Sequence, residues 1–154
     1  MEHKVKMIDV SEKAVTLREA RARAVIRLKK ETLDAIRNGQ IEKGDVLTVA
    51  KVAGINGAKK TWELLPMCHP ISLSSVAIDI FFDDENTIRI ESTARAEAKT
   101  GVEMEALVAV TSSALTVYDM CKSIDRGITI ESIYLLEKKG GRSGHWKRKG
   151  QNNS

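Results

Sequence analysis

Apolar residues recur with a period of two in several stretches of this chain and with a helical period in others, and the two periods divide it into elements. Ala22, Ala24, Ile26 and Leu28 alternate with Arg21, Arg23, Val25 and Arg27, the spacing of a strand with one polar face. Val76, Ile78 and Ile80 alternate with Ala77 and Asp79 into Phe81 and Phe82. After a turn at residues 83–86, Ile88, Ile90, Ser92, Ala94 and Ala96 alternate with Arg89, Glu91, Thr93, Arg95 and Glu97, which predicts a hairpin. Gly127 precedes a last strand over residues 128–136. A short helix is expected over 30–38, carrying Leu33 and Ile36 and stopped by Gly39. Asp45 can cap a second helix to about Ala53, loosened by Gly54 and Gly57 before another turn or two through Trp62, Leu64 and Leu65. Val46, Val49 and Val52 also admit a strand there. The longest helix spans residues 101–122, opened by a capping-box pattern from Thr100 to Glu103. Residues 1–20 are polar and read as a meander, and Pro66 and Pro70 bracket a rigid loop.

The order strand, helices, strand, strand, helix, strand is that of an α+β, ferredoxin-like sandwich: an antiparallel four-stranded sheet with helices on one face. The other face would display Arg21, Arg23, Arg89, Arg95 and Glu97, and reads equally as a solvated surface or as a polar subunit interface. The long helix carries few ordinary surface residues, so it is expected to be buried on more than one side, and its charges need a reason to be there.

A length of 154 residues suits a single domain, with a flexible segment at about 1–14 and a basic flexible tail at about 145–154. With two Phe, two Trp and two Tyr, the core must be built from Ile, Leu, Val and Ala. No stretch is long and apolar enough to span a membrane, and the charged start does not resemble a secretory signal, so a cytoplasmic location is expected. Cys68 and Cys121 are then free thiols. The net charge of +4 hides an asymmetry, because residues 138–154 hold six Lys or Arg and no acid, leaving 19 basic and 21 acidic residues before them. That pattern suits a bound anion or solubility. It does not suit a nucleic-acid surface, which would spread basic and aromatic residues over one folded face.

Four groups of residues carry candidate chemistry. Asp119 and Lys122, three apart on the long helix, share a face: they form either a surface ion pair or a carboxylate and ammonium that exchange a proton. Glu105 is fourteen steps before Asp119, roughly 21 Å along the axis, so the two cannot flank one reacting atom as paired carboxylates would. His69, beside Cys68 between the prolines, is a candidate anion or proton donor; a zinc site is not indicated, since His3, His69, His145, Cys68 and Cys121 show no ligand spacing. Lys43, Lys51, Lys59 and Lys60 could converge with Lys138, Lys139 and Arg142 as an anion funnel, and Gly140-Gly141-Arg142-Ser143-Gly144 offers backbone N–H groups to phosphate. Neither standard nucleotide fingerprint is present.

Several segments resemble the cyclic pyranopterin monophosphate synthase family, the C protein of molybdenum cofactor biosynthesis. They are Lys43-Gly44-Asp45, Ala53-Gly54-Ile55 with Ala58-Lys59-Lys60-Thr61-Trp62, Leu65-Pro66-Met67-Cys68-His69-Pro70, Thr100-Gly101-Val102-Glu103-Met104-Glu105-Ala106-Leu107, Leu115-Thr116-Val117-Tyr118-Asp119-Met120-Cys121-Lys122 and Gly140-Gly141-Arg142-Ser143-Gly144. The resemblance covers nearly the whole chain. It implies a lyase that rearranges 3',8-cyclo-7,8-dihydro-GTP and closes a cyclic phosphate as pyrophosphate leaves. It implies a homohexamer, a trimer of dimers, with sites at the dimer interface. Carried over by motif, Asp119, Lys122, Lys43 and Lys138 are catalytic, while Met67, Cys68, His69, Met104, Glu105 and Lys59 contact substrate. Arg18, in Thr16-Leu17-Arg18-Glu19-Ala20, is expected to meet the triphosphate from a neighbouring subunit. No resident cofactor is firmly implied, with room for Mg²⁺ beside the triphosphate. No nucleic-acid or membrane partner is expected. The alternative is a non-catalytic, ferredoxin-like nucleotide-binding regulatory module.

Overall fold

A computed structural model of the chain describes residues 3–150. Among these, five strands and four helices run in the order β1 (Thr16–Arg27), α1 (Lys30–Arg37), α2 (Val46–Lys59), α3 (Thr61–Leu64), β2 (Ser75–Asp84), β3 (Thr87–Ala98), α4 (Glu103–Cys121), β4 (Thr129–Lys139) and β5 (Trp146–Lys147). The sheet has the order β2-β3-β1-β4-β5 and every pairing is antiparallel. The four strands read from the alternation therefore stand in the ferredoxin-like order, and β5 adds a fifth, at the edge.

The core arises from the alternation. Ala20, Ala22, Ala24 and Ile26 of β1 and Ile88 and Ile90 of β3 are fully buried on the helix-bearing face, joined there by Ala106, Ala109, Val110, Ala114 and Val117 of α4. Alanines on both surfaces let α4 lie close on the central strand, and each fully buried isoleucine contributes about 1.5–3 kcal/mol. Hydroxyls inside this contact are satisfied by helix carbonyls: Ser92 Oγ donates to the Ala106 carbonyl at 2.7 Å, and Ser113 Oγ to the Ala50 carbonyl at 2.7 Å.

Gly54 and Gly57 do not interrupt α2. Both face α4: a Cβ at Gly54 would collide with Ser113 Oγ and stand 3.0 Å from the Ala109 carbonyl, and one at Gly57 would collide with Ser112. Close helix packing thus outweighs the cost of glycine in a helix interior. The contacts run antiparallel, residues 54 and 57 of α2 meeting residues 113 and 108 of α4, so the start of α2 lies at the end of α4 and the end of α2 at its start. Asp45 caps α2 as expected, accepting from Thr48 N at 3.2 Å and from Thr48 Oγ1 at 2.7 Å.

One helix start differs from the sequence expectation, and another, at the expected position, is capped from a distance. Thr100 is not the cap of α4: Val102 holds that position without a side-chain bond, and Glu103 is drawn instead into an ion pair with Lys138. Lys29, at the cap of α1, has no capping side chain of its own, and Asp125 supplies one from beyond α4. It accepts from Lys29 N and from Thr32 Oγ1, both at 2.9 Å. The first strand also begins earlier than the alternation shows, at Thr16, with Leu17 mostly exposed. Met1, Glu2 and residues 151–154, the ends of the segments expected to be flexible, lie outside the described residues.

The sheet face away from the helices is a charged network within the chain. Glu91 pairs with Arg23 and Arg89, each at 2.6 Å, and with Arg21 at 3.2 Å; Arg23 is only 5% exposed and its Nη1 donates to the Tyr134 hydroxyl. Burial would raise the Glu91 carboxyl, but hydrogen bonds from Arg89 and Arg23 outweigh it and hold the group below its usual range.

Candidate active site

At the N-terminal end of α4 a cavity of ≈ 290 Å³ gathers Met67, Cys68 and His69 from the loop between the prolines with Met104 and Glu105 from the first turn of the helix. Two separate sequence motifs thus make one wall. Glu105 is 4% exposed, and burial above all, with the charge of Glu103, pushes its carboxyl up from its ordinary value. Burial and then Glu105 push the Cys68 thiol up, so this cysteine stays protonated at neutral pH and is a poor nucleophile. The His69 ring Nε2 lies 2.7 Å from the Ile8 carbonyl, which fastens the N-terminal segment along the rim.

A second cavity, of ≈ 730 Å³, opens beside the first and shares Lys13, Gly101 and Glu103 with it. Arg18, Lys138, Arg142, Gly141 and Ser143 also line it, together with Glu12, Ala14 and Thr16. Arg18 is fixed by donating to the Ala98 carbonyl at 3.3 Å and the Lys99 carbonyl at 3.0 Å. Lys138 pairs with Glu103 at 3.0 Å. Gly140 and Gly141 have φ of 101° and 76°, which favour glycine, and a Cβ at Gly140 would collide with the Leu17 backbone carbonyl while one at Gly141 would push on the Arg18 guanidinium. Four cationic side chains, Lys13, Arg18, Lys138 and Arg142, against the two carboxylates of Glu12 and Glu103 leave the lining net positive and suited to a polyanion.

At the other end of α4, Asp119 stands between two ammonium groups, Lys122 Nζ and Lys43 Nζ, each at 3.0 Å. Hydrogen bonds from Lys122 and then Lys43 hold its carboxyl below the usual aspartate range. The helical spacing predicted the Lys122 contact; Lys43 arrives because α2 runs antiparallel to α4. In this chain Asp119 and Lys122 are each about half exposed, so Tyr118, Met120 and Cys121 do not enclose them. The Cys121 thiol is fully buried and pushed up to about 11, chiefly by desolvation.

The residues singled out in the sequence therefore fall into two groups. Met67, Cys68, His69, Met104, Glu105, Arg18 and Lys138 gather at the start of α4, and Lys43, Asp119 and Lys122 at its end. Asp119 stands sixteen helical steps after Glu103, roughly 24 Å along the axis. The anion funnel does not converge within one chain: Lys138 and Arg142 line the larger cavity, Lys43 is at the far end, Lys60 reaches Glu63 and Lys139 reaches Glu19. Lys59, in the last turn of α2, is exposed and lines neither cavity. Arg18 shares its cavity with Lys138 of its own chain, although the resemblance leads one to expect it from a neighbour. Lys13 and Glu103 were missed as cavity residues, the first because it lies in a segment with no periodicity and the second because its spacing from Thr100 imitates a cap. Among the described residues, no group of three or more His, Cys, Asp or Glu could hold a metal ion, and no helix is long and apolar enough to cross a membrane.

Comparison with known proteins adds three findings. Residues 7–141 match the model of the MoaC family. A protein of Brevibacillus brevis described as cyclic pyranopterin monophosphate synthase is 54% identical over 147 residues, covering 96% of this chain and 92% of that one. Among solved structures, the full extracellular region of zebrafish Gpr126/Adgrg6 aligns with a TM-score of 0.30 at 13% identity, over 82% of this chain and 15% of that one, a likeness too slight to inform the fold.

Proposed function

The chain belongs to the MoaC family, and from that membership and its two residue clusters we infer both its reaction and how its residues divide the work. It is a lyase of molybdenum cofactor biosynthesis that converts the cyclised GTP derivative to cyclic pyranopterin monophosphate, with pyrophosphate as the leaving group. The substrate's triphosphate lies in the larger cavity against Arg18, Lys138, Arg142 and the loop at residues 140–144, and its ring system in the adjoining pocket of Met67, Cys68, His69, Met104 and Glu105.

Closing the cyclic phosphate forms one new phosphorus–oxygen bond while the bond to pyrophosphate breaks, so negative charge grows on phosphoryl oxygens. Fixed cations, with Lys138 nearest the reacting phosphorus, stabilise that charge without reorganising. Opening and reclosing the rings moves protons at several atoms. Asp119 remains a carboxylate beside two ammonium groups, so it orients them, and Lys122 and Lys43 give and take the protons.

The single observation that carries this reading is the separation of the two clusters along α4, since neither makes a complete site. Each site then takes its anion and ring cavities from one subunit and Asp119, Lys122 and Lys43 from another. We assign the chain accordingly to a homohexamer of three dimers, one catalytic domain per subunit, in the cytoplasm, where Cys68 and Cys121 stay reduced. Asp119→Ala and Lys122→Ala are each expected to lower pyrophosphate release from the cyclised GTP derivative at least about 100-fold with the oligomer intact by light scattering. Near-normal turnover by either purified variant would sink the assignment.

A further inference from the structure

The family match ends at residue 141, yet the chain continues, and its next residues return to the sheet. Gly140 N donates to the Gly144 carbonyl at 3.1 Å and Gly144 N to the Gly141 carbonyl at 3.2 Å, closing a tight loop. The chain then lies beside β4, Trp146 opposite Lys138 and Lys147 opposite Glu137. Three further contacts fasten it. His145 Nε2 meets Glu137 Oε2 at 2.7 Å, Arg148 N donates to the Leu136 carbonyl at 2.9 Å, and Arg148 Nε donates to the Leu135 carbonyl at 2.7 Å. Leu136 is the extra residue of a bulge in β4, so Arg148 ties the tail to the place where the ladder to β1 is irregular. Its guanidinium also lies over the rings of Tyr134, at 5.0 Å, and Trp146, at 5.7 Å.

We propose that residues 145–148 are a positioning element of the active site, a strap that holds the 140–144 loop down on Arg18 and so shapes the anion cavity. The geometry is direct. The loop's two ends are β4, whose Lys138 lines the cavity, and β5, which pairs with that same lysine. Between them Gly141, Arg142 and Ser143 face the cavity, with Gly141 packed on the Arg18 guanidinium. A loop anchored on one side only would sample many arrangements and would have to be ordered each time a triphosphate binds; anchoring both sides removes that cost from binding. The tail touches none of the groups assigned to proton transfer, and it meets Lys138 through strand pairing while the ammonium is held by Glu103, so it acts chiefly on affinity. This inference rests on the assignment of the larger cavity to phosphate.

The test compares the full chain with a chain ending at Gly144 and with Trp146→Pro, which keeps every charge of the tail but puts a residue without an N–H into the two-residue strand. Amide hydrogen exchange over residues 140–144, calorimetric titration with pyrophosphate, and steady-state turnover are measured on each. Both variants are expected to exchange the loop amides at least about tenfold faster, to bind pyrophosphate about tenfold more weakly, and to raise KM about tenfold with kcat within about threefold of the parent. Unchanged loop exchange in either variant overturns the proposal. So does a Trp146→Pro chain with normal affinity beside a weakened truncation, because the tail would then act only through its charge. A fall in kcat at unchanged KM overturns it as well. Failure of the enzymatic reading is separate: a full chain with no turnover refutes that reading, while loop exchange and pyrophosphate affinity still decide the role of the tail.

Discussion

Replacing Gly54 by alanine sets two well-defined energies against each other. Helix propensity alone favours alanine by about 1 kcal/mol in the interior of α2. Against this, the added carbon would overlap Ser113 Oγ and lie 2.9 Å from Ile78 Cδ1 and 3.0 Å from the Ala109 carbonyl oxygen. Ile78 can turn aside. The Ser113 hydroxyl is committed to the Ala50 carbonyl, and swinging it away forfeits a buried hydrogen bond worth about 1 kcal/mol. The Ala109 oxygen belongs to the backbone of α4 and yields only if the helices part, an overpacking that costs about 1–3 kcal/mol. The balance is a net loss of about 1–3 kcal/mol, read as a lower urea midpoint at unchanged slope and fixed protein concentration. In a Ser113→Ala background the same change is expected to cost at least about 1 kcal/mol less, because the nearest obstacle is gone. A Gly54→Ala chain as stable as its parent, or more so, would refute the claim that α2 and α4 touch through this glycine.

Buried carboxylates set two further outcomes. Asp125→Ala should cost about 2–3 kcal/mol in urea unfolding, since Lys29 N and the buried Thr32 hydroxyl both lose their acceptor, while Asp125→Asn should lose less; equal stability of the alanine variant would show that α1 needs no cap from this residue. Glu105 carries a raised pKa, so the folded chain holds its proton at a pH where the unfolded chain has released it. Its penalty is absent in acid, grows as pH rises above about 4.3, and is complete above the folded value. Glu105→Gln should therefore stabilise the unliganded chain at neutral pH but not near pH 3, while weakening substrate binding; an equal gain at both pH values would contradict the burial assigned to it.

What could be read from the chain was whatever repeats or sits next to its partner. The alternation through Ala22 to Ile26 and Ile88 to Ala96 located the buried face of the sheet, and the three-residue spacing of Asp119 and Lys122 foretold their contact. Leu17, Arg18 and Glu19 gave no sign of a strand because Leu17 is left mostly exposed there, so the apolar alternation fails although the backbone continues in register with β3. Gly54 and Gly57 resembled breaks in a helix; their reason lies on α4, some fifty residues away. Thr100 and Glu103 had the spacing of a cap, but the attraction of Lys138, a partner from β4, decided where the carboxylate went. Asp125 had no pattern at all, since it serves a helix that begins almost a hundred residues earlier. The motifs singled out the candidate residues, whereas their division between two ends of α4 depends on the antiparallel packing of α2 and on the loop between the prolines, which no motif encodes.

On the proposed assignment, that division makes α4 a gauge as much as a support: its nineteen residues set the spacing between the cavities at its start and the Asp119 cluster at its end. One inserted residue in its middle would shift the far end by about 1.5 Å and swing it by about 100°, carrying Asp119 away from Lys43 on the neighbouring helix. An insertion of about seven would restore the facing direction but lengthen the rod by about 10 Å, and α2 would have to grow in step. Loops in this molecule can change length at small thermodynamic cost. The interior of α4 cannot under that proposal, because its length is indexed at both ends to residues that different reaction centres would share.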